Sequence, residues 1–312
     1  MRVGFVMDPI EGVNVDADTT FALMLAAQAR GDEIYYIRPG DISARGDEAW
    51  ARYRGVTLRR DPEDKVSYGE EIQGRLHELD AVWMRKDPPF DEAYLYEVNL
   101  LELAEEKGCL ILNEPRGLRA ANEKLYALHF PEWIPTSRVT ASAREIKAFM
   151  EEQGGRCILK PLSGHGGEGI FVLDEEDRNL NALIEVSTEH ETVPVMCQEY
   201  LPEARQGDKR IIMLNGKPMG AILRVPSDEE YRSNIHVGGS VEKTELSSRE
   251  QAICEDVGQR LVQDGLYFVG LDVIGERLTE VNVTSPTGIQ EMSRLDDFDA
   301  PAEVMDWVAS RL

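Results

Sequence analysis

The sequence contains few histidines and cysteines, and neither residue forms a cluster along the chain. Its five histidines occur in no HExxH or Cys/His pattern, which argues against a zinc site. The four cysteines are widely spaced and mostly have apolar neighbours, so we expect buried free thiols rather than disulfides. This use of cysteine is typical of the reducing cytoplasm.

Long apolar runs are absent, and basic residues are outnumbered. No run approaches the length that spans a membrane, and Asp8 and Pro9 come too early for the apolar core of a signal peptide. Asp and Glu total 58 against 34 Lys and Arg, giving a formal net charge of −24. This acidity argues against nucleic acid or an anionic membrane surface as a partner. Basic residues inside motifs are therefore informative, because they must overcome the field of the acidic chain.

The order of strand-like and helix-like segments indicates an α/β protein with three lobes. Residues 2–113 alternate apolar strands with helices, which predicts a parallel α/β lobe with only short strands between residues 41 and 80. The later strands predict antiparallel, α+β lobes. Capping boxes predict helix starts at Ser142 and Ser247. We place the lobes at residues 1–121, 122–200 and 201–312.

The segment from Gly270 to Thr287 places acidic and amide side chains within apolar, strand-like sequence. Glu280 and Asn282 are two residues apart, so a strand puts both on one face. A hairpin loop with an odd number of residues would bring Asp272 beside them. Three such oxygen donors suit Mg²⁺, and a solvated hairpin without a ligand is the alternative.

A glycine-rich loop follows the predicted strand that carries Lys160. Gly164, Gly166 and Gly169 match GxGxxG, but a strand-forming run follows them, whereas a Rossmann site needs a helix there. The glycines instead predict a flap whose backbone amides cover nucleotide phosphates, within reach of the Lys160 ammonium. A glycine-rich hairpin without a ligand is the alternative, and no Walker motif occurs.

Three other candidate nucleotide contacts are weak signals when each is taken alone. Lys124 would by itself be a surface lysine. The connector at residues 198–201 follows an apolar strand and can offer its backbone to an adenine edge, with Asp208 beyond it as an acceptor for a ribose hydroxyl. By itself this connector is only a linker.

Four arginines are candidates for binding acidic substrate groups, since guanidinium binds carboxylates and phosphates through paired hydrogen bonds. Arg210 and Arg224 lie on predicted strands of the third lobe. Arg232 lies in the polar segment 226–239, whose terminal glycines are typical of a lid with a hinge, although an ordinary surface loop is the alternative. Arg85 follows a predicted strand at the edge where open α/β sheets bind ligands, with structural capping as its alternative role.

Together these motifs resemble the bacterial glutathione synthetase family of the ATP-grasp superfamily over nearly the whole chain. The matching motifs are VMDPI at 6–10, the run at 84–91, AEEKG at 104–108, NEKL at 122–125, LKPL at 159–162 with its glycine loop, YLP at 200–202, GDKR at 207–210 and the segment 268–287. The resemblance implies a three-lobed ATP-grasp fold that binds ATP between the second and third lobes.

The resemblance also implies roles for individual residues. The implied ATP contacts are Lys124, Lys160, Gly164, Gly166, Gly167, Gln198, Glu199, Tyr200, Leu201 and Asp208. The implied ligands of two Mg²⁺ ions, for which Mn²⁺ is expected to substitute, are Asp272, Glu280 and Asn282. Arg210 and Arg224 are implied to hold the reacting acyl phosphate, and the implied substrate contacts are Arg85, Arg232, Gly238 and Gly239.

The implied reaction is the ATP-dependent joining of γ-glutamylcysteine to glycine, which gives glutathione, ADP and phosphate. ATP first phosphorylates a carboxylate, and the lid keeps water from the acyl phosphate until the amine of glycine attacks it. No protein nucleophile is needed, in agreement with the lack of a Ser/His/Asp or Cys/His arrangement. The resemblance further implies a homotetramer.

The chain departs from the family pattern in two segments. The flap differs at Ser163, His165, Glu168 and Gly169, with His165 as a candidate phosphate contact, and the lid differs at residues 235–237. We expect phosphate binding to tolerate these differences, which bear mainly on peptide recognition and lid closure. The competing hypotheses are a related ligase with another carboxylate and amine, a nucleotide-binding protein without catalysis, and a Ca²⁺-binding module.

Overall fold

The computed structural model describes residues 1–164, 166–226 and 240–312, and these residues form three sheets. The first sheet has the order β4-β3-β2-β1-β5-β6, in which β1, β2, β5 and β6 are parallel and β3 and β4 extend the sheet antiparallel. Its strands are β1 (Arg2–Val6), β2 (Glu33–Arg45), β3 (Glu48–Leu58), β4 (Val66–Arg75), β5 (Ala81–Met84) and β6 (Leu110–Leu112). Its helices are α1 (Thr19–Ala29), α2 (Glu92–Glu105) and α3 (Pro115–Ala120).

The prediction of short strands between residues 41 and 80 is wrong. Strands β2, β3 and β4 contain 13, 11 and 10 residues. In β3, the buried residues Ala49, Ala51 and Tyr53 alternate with the exposed Arg52 and Arg54. Charged side chains on the exposed face therefore conceal a period of two, because only one face of this extension packs against the protein.

The second sheet is antiparallel and has the order β7-β10-β8-β9. Its strands are β7 (Ser137–Thr140), β8 (Arg156–Pro161), β9 (Phe171–Asp174) and β10 (Val195–Glu199), and its helices are α4 (Ala143–Glu152) and α5 (Leu180–Ser187). The helix start predicted at Ser142 is confirmed, because Ser142 is the N-cap residue of α4. The capping box is wrong, since the Ser142 side chain makes no capping hydrogen bond. Glu145 instead accepts from the Thr140 hydroxyl at 2.6 Å, and the same hydroxyl accepts from the Ser142 N–H at 3.0 Å.

The third sheet is antiparallel and has the order β13-β12-β11-β14-β15. Its strands are β11 (Asp208–Leu214), β12 (Lys217–Val225), β13 (Ser240–Lys243), β14 (Phe268–Ile274) and β15 (Arg277–Asn282). The helices are α6 (Ser248–Gln263), α7 (Ile289–Asp296) and α8 (Ala300–Ala309). The capping box predicted at the start of α6 is confirmed, with Ser247 and Glu250 each accepting a backbone hydrogen bond from the other residue.

The first and third sheets share their hydrophobic core, whereas the second sheet has its own. Two large clusters of buried residues each combine side chains from the first and third sheets, and Trp83 meets Phe268 edge to face at 5.8 Å. Helices α7 and α8 also pack against α1. A separate cluster combines buried side chains of β8, β9 and β10 with those of α4 and α5. Within the described ranges, no helix is both long and apolar enough to cross a bilayer.

Candidate active site

A bulge in the hairpin of β14 and β15 places the predicted oxygen donors on one face. The loop is the two-residue turn Gly275-Glu276, so the expectation of an odd loop is wrong. Such a turn alone would put Asp272 opposite Thr279 and turn Glu280 to the other face. A bulge shifts the register between Asp272 and Val273, leaving Thr279 as the extra residue. Asp272 is therefore paired with Glu280, as predicted.

Two buried arginines hold Asp272. Arg210 donates to both Asp272 oxygens, with Nη2 at 2.9 Å from Oδ2, and Nη2 of Arg224 lies 3.0 Å from the same Oδ2. Arg224 also donates to both oxygens of Asp208. Burial alone would raise the pKa of Asp272, but the Arg210 and Arg224 guanidinium groups outweigh it and hold that pKa well below its usual range. Asp272 is therefore a carboxylate at any pH near neutrality.

Two lysines face this network from the other side. Lys160 Nζ donates to Gln198 Oε1 at 2.6 Å. Lys124 Nζ donates to the Gly164 carbonyl at 2.6 Å and lies 3.0 Å from Glu280 Oε1. Burial lowers the pKa of Lys160 to about 8, although the Glu280 charge opposes this fall.

A cavity between the second and third sheets collects most of the predicted nucleotide contacts. Its lining includes Lys160, Gly166, Gly167, the connector 198–201 and Asp208, together with the apolar side chains of Ile158, Ile170 and Ile274. Gly166 and Gly167 have φ of 63° and 82°, a backbone conformation that favours glycine. Lys124 and Gly164 line an adjoining cavity instead. Asp208 directs both oxygens to Arg224, so its role toward a ribose stays a prediction.

A second cavity opens from the nucleotide cavity toward the first sheet. Arg210, Arg224 and Asn282 line both cavities. Arg85 follows β5 as predicted, is buried, and lines the second cavity, where it donates to the Thr20 hydroxyl and to the Pro286 carbonyl, each at 3.0 Å. The structure therefore places Arg85 and the paired arginines along one continuous space.

Several predicted residues lie outside the described part of the chain. These are His165 of the flap and, in the segment 226–239, Arg232, Gly238 and Gly239. The four cysteines are free and buried, as predicted. Burial raises the pKa of each thiol, to about 11 for Cys157 and about 12 for Cys109, Cys197 and Cys254, so none is a ready nucleophile.

Sequence reasoning missed residues that line the site although nothing in the sequence assigned them a functional role. Glu123 lines both cavities, and residues 284–287 form a wall of the second one. Both belong to motifs that the sequence already singles out, NEKL and the segment after the hairpin. Glu123 is next to Lys124, and residues 284–287 follow Asn282 closely. This proximity in sequence was the available signal, but it does not indicate what these residues bind.

The residues at the hairpin fit a hard divalent cation in their donor chemistry. Asp272 and Glu280 are paired across the strands, and Asn282 lies two residues beyond Glu280, so two carboxylates and an amide share one face. In the described ranges, the hairpin included, no group of three or more His, Cys, Asp or Glu residues is arranged to hold a metal. Both Asp272 oxygens already accept from arginines, so a cation here would compete with those hydrogen bonds.

Comparisons with known proteins assign the chain to a family. Residues 1–119 match the N-terminal domain of prokaryotic glutathione synthetase, and residues 123–297 match its ATP-grasp domain. The glutathione synthetase of Gloeobacter violaceus is 47% identical over 315 residues, covering 99% of this chain and 96% of the relative. That of Parasynechococcus marenigrum is 48% identical over 295 residues, covering 95% and 94%.

Solved structures agree with the fold. A crystal structure of a D-cycloserine synthetase has a TM-score of 0.69 and 12% identity, with 99% of each chain covered, a likeness that concerns the fold alone. An ATP-grasp ligase bound to a minimal precursor has a TM-score of 0.65 and 18% identity, with 100% of each chain covered. The family matches extend over almost the whole chain. The chain therefore belongs to the prokaryotic glutathione synthetase family of ATP-grasp ligases.

Proposed function

We propose that this protein joins γ-glutamylcysteine to glycine at the expense of ATP, giving glutathione, ADP and phosphate. The observation that carries the proposal is the cavity in which Lys160, the paired arginines and the Asp272–Glu280 pair converge, in a chain of this family. A ligase of this kind needs a nucleotide, an acyl substrate and an amine beside one another, and the two joined cavities offer that arrangement.

The nucleotide would lie between the second and third sheets. In this proposal the Ile158, Ile170 and Ile274 side chains pack against the base, and the connector 198–201 offers backbone groups to its edge. Lys160, Gly166 and Gly167 would contact the phosphates, and Lys124 would hold the flap through the Gly164 carbonyl. Asp208 is assigned to the ribose.

The reacting carboxylate would lie beside Arg210 and Arg224. A carboxylate is a poor electrophile, so phosphorylation by ATP turns it into an acyl phosphate that the amine of glycine can attack. The two guanidinium groups would stabilise the negative charge that develops on the transferred group. Arg85 is assigned to γ-glutamylcysteine in the second cavity. Arg232, Gly238 and Gly239 of the lid segment are assigned to substrate binding and the exclusion of water.

Asp272, Glu280 and Asn282 would hold the divalent metal, which we assign as two Mg²⁺ ions with Mn²⁺ as a substitute. Bound there, the metal would neutralise phosphate charge and orient the transferred group. We further propose that the protein is a cytoplasmic homotetramer. Light scattering after size-exclusion chromatography tests the assembly, and a monomer would contradict it.

A substrate-omission assay tests the proposed function. Purified protein receives ATP, Mg²⁺, γ-glutamylcysteine and glycine, with each left out in turn, and phosphate and glutathione are measured together. We expect both products only in the complete mixture. Phosphate release that does not depend on glycine would overturn the proposal, and efficient replacement of glycine by another amino acid would favour a related ligase.

A further inference from the structure

Three consecutive residues of the NEKL motif each bind a different part of the site. Asn122 Nδ2 donates to the Leu162 carbonyl at the start of the flap, at 3.0 Å. Lys124 binds the Gly164 carbonyl of the flap and the Glu280 carboxylate. Glu123, between them, accepts its side-chain hydrogen bonds from Val283 and Thr284 and is not assigned any part in the proposed reaction. The hydrogen-bond partners of Glu123 lie in the segment that follows β15.

Glu123 binds the beginning of the segment 283–287. Its Oε1 accepts from the Val283 N–H at 2.9 Å, from the Thr284 N–H at 3.1 Å and from the Thr284 hydroxyl at 2.9 Å. The Glu123 carbonyl also accepts from the Val281 N–H of β15, at 3.0 Å. Burial and the neighbouring Glu280 charge raise the pKa of Glu123, and the hydrogen bonds from Thr284 oppose that rise. The three donors that converge on Oε1 fix the start of this segment.

Each residue of the segment 284–287 is held by a different charged side chain. Glu123 holds Thr284. The Ser285 hydroxyl donates to Asp87 at 2.6 Å, while the carbonyls of Pro286 and Thr287 accept from Arg85 and Arg210 at 3.0 and 3.2 Å. Arg85 and Asp87 belong to the first sheet region, and Arg210 belongs to the third sheet. Glu123 supplies the connection to the motif that also holds the flap.

This geometry places Glu123 at the boundary between the two cavities. Both cavities include it in their lining, and residues 284–287 form a wall of the second cavity. Glu123 and Thr284 also line the adjoining cavity that contains Lys124 and Gly164. A displacement of the flap that moves Lys124 therefore acts on a backbone that also carries the Glu123 anchor. The wall of the second cavity is thus tied to the flap over the nucleotide cavity through two adjacent residues.

We propose that Glu123 is a positioning residue that couples the nucleotide flap to the wall of the acyl-substrate cavity, through its hydrogen bonds to Thr284. The inference rests on the proposed function. Glu123 acts on the substrate through the segment 284–287 rather than by touching the reacting atoms. Its loss leaves the nucleotide contacts in place but lets the wall shift, so the acyl substrate binds less well and the acyl phosphate is less protected from water.

Glu123→Gln is the main test, because it keeps the size of the side chain and replaces the carboxyl group with an amide, whose oxygen is a weaker acceptor than a carboxylate. We expect the KM for γ-glutamylcysteine to rise about tenfold, equivalent to about 1.4 kcal/mol, while the KM for ATP changes less than about twofold. We also expect the phosphate released per glutathione formed to rise from about one to above about two, because part of the acyl phosphate is hydrolysed.

Three further variants make the test independent of folding. Thr284→Val removes the hydroxyl with little change in shape and should shift the same two readouts in the same direction, whereas Thr284→Ser should stay near wild type. Glu250→Gln is the matched control: Glu250 is a buried carboxylate that pairs with Lys209 at 2.6 Å outside both cavities. We expect that control to lower thermal stability without changing the product ratio.

The outcomes separate the inference from the proposed function. If wild type forms no glutathione, the proposed function fails. If wild type forms it and Glu123→Gln raises both KM values equally, or keeps the wild-type phosphate to glutathione ratio, the coupling role of Glu123 is overturned. Should Glu123→Gln be unfolded at the assay temperature, Thr284→Val decides, and a wild-type ratio in that variant overturns the inference.

Discussion

The second and third sheets supply positive charge to the same cavity but hold it in different ways. On the second sheet, Lys160 has a neutral partner, the Gln198 amide, and burial lowers its pKa to about 8. On the third sheet, Arg210 and Arg224 each donate two hydrogen bonds to a carboxylate, and both bind Asp272. The carboxylates of Asp208 and Asp272 therefore neutralise the two arginines of the third sheet. On the second sheet, the fraction of Lys160 that is protonated depends on pH.

This difference means that the two sheets present positive charge with different rigidity and different dependence on pH. Guanidinium stays protonated in proteins, and paired hydrogen bonds fix its orientation, so the arginine side is a rigid frame. An ammonium group has no preferred plane and loses its proton more readily when buried. We therefore expect changes on the arginine side to affect folding and catalysis together, and changes on the lysine side to affect mainly nucleotide binding.

Asp272→Asn should have the largest effect, because it removes the carboxylate that two buried arginines share. We expect the free energy of unfolding to fall by about 3–5 kcal/mol, as when one partner of a buried ion pair is removed. We expect kcat to fall about 10²–10³-fold through the loss of a metal ligand and of arginine orientation. Chemical denaturation and steady-state kinetics measure the two effects. An Asp272→Asn protein with wild-type stability would contradict the rigid-frame interpretation.

Glu280→Gln should separate catalysis from folding, since Glu280 pairs with Lys124 and its replacement leaves the buried ion pairs of Asp272 with Arg210 and Arg224 intact. We expect turnover about 10²-fold slower and a weaker dependence on Mg²⁺, with the melting temperature close to wild type. A Mg²⁺ titration of the rate, combined with thermal unfolding, checks this. Near wild-type activity would remove Glu280 from the metal site.

Lys160 predicts a pH dependence that the arginines cannot produce. Its pKa is lowered from the usual 10.5 to about 8, so kcat/KM for ATP should fall as the pH rises above about 8 and the ammonium loses its proton. The contribution of Lys160 to the free energy of unfolding changes in the opposite direction with pH. The unfolded chain binds the proton more tightly, so the Lys160 contribution destabilises the fold at low pH and this penalty is relieved as the pH rises from about 8 to 10.5.

Lys160→Arg is the control for that pH profile. Arginine stays charged over this range, so the decline of kcat/KM above about pH 8 should disappear even if the overall rate is lower. If the decline persists unchanged in Lys160→Arg, another group causes it. The pH dependence could then not be attributed to a difference between the lysine of the second sheet and the arginines of the third.

Gly164→Ala should have the smallest effect. An added Cβ would lie 2.8 Å from Pro161 Cγ and 2.9 Å from the Glu168 carbonyl oxygen, so the flap must shift. We expect the KM for ATP to rise about threefold, below the 1.4 kcal/mol of a tenfold change, with kcat nearly unchanged. Gly55→Ala in β3 is the control, because its Cβ would meet only Tyr35 at an ordinary 3.9 Å. Equal KM values for both variants would show that the flap tolerates the shift.

Local pattern was sufficient for much of the fold. It predicts the alternating strands and helices of the first lobe, the antiparallel strands of the later lobes and the start of α6 at its capping box. It failed where charged residues occupy the exposed face, as in β3. It also failed for the capping box at Ser142, where the competing Thr140 hydroxyl comes from outside the Ser-x-x-Glu pattern.

The sequence predicted many of the residues that line the site, but not which of them form hydrogen bonds and ion pairs with one another. Lysines, arginines, glycines and oxygen donors stand out within motifs, and family resemblance implies their roles. Which cation meets which carboxylate depends on residues far apart in the chain. Lys124 reaches Glu280, and Glu123 reaches Thr284, although more than 150 residues separate each pair. No periodicity within one segment records such pairings.

The sequence by itself determined that Glu280 and Asn282 share a face, because alternate side chains of any strand point the same way. Whether Asp272 joins them was decided only in the tertiary structure. The two-residue turn would have separated Asp272 from Glu280, and a bulge at Thr279 restored the pairing. Strand β11 then set Arg210 beside Asp272 by its own register. Hydrogen bonding and packing between strands select such registers, and both act only once the chain is folded.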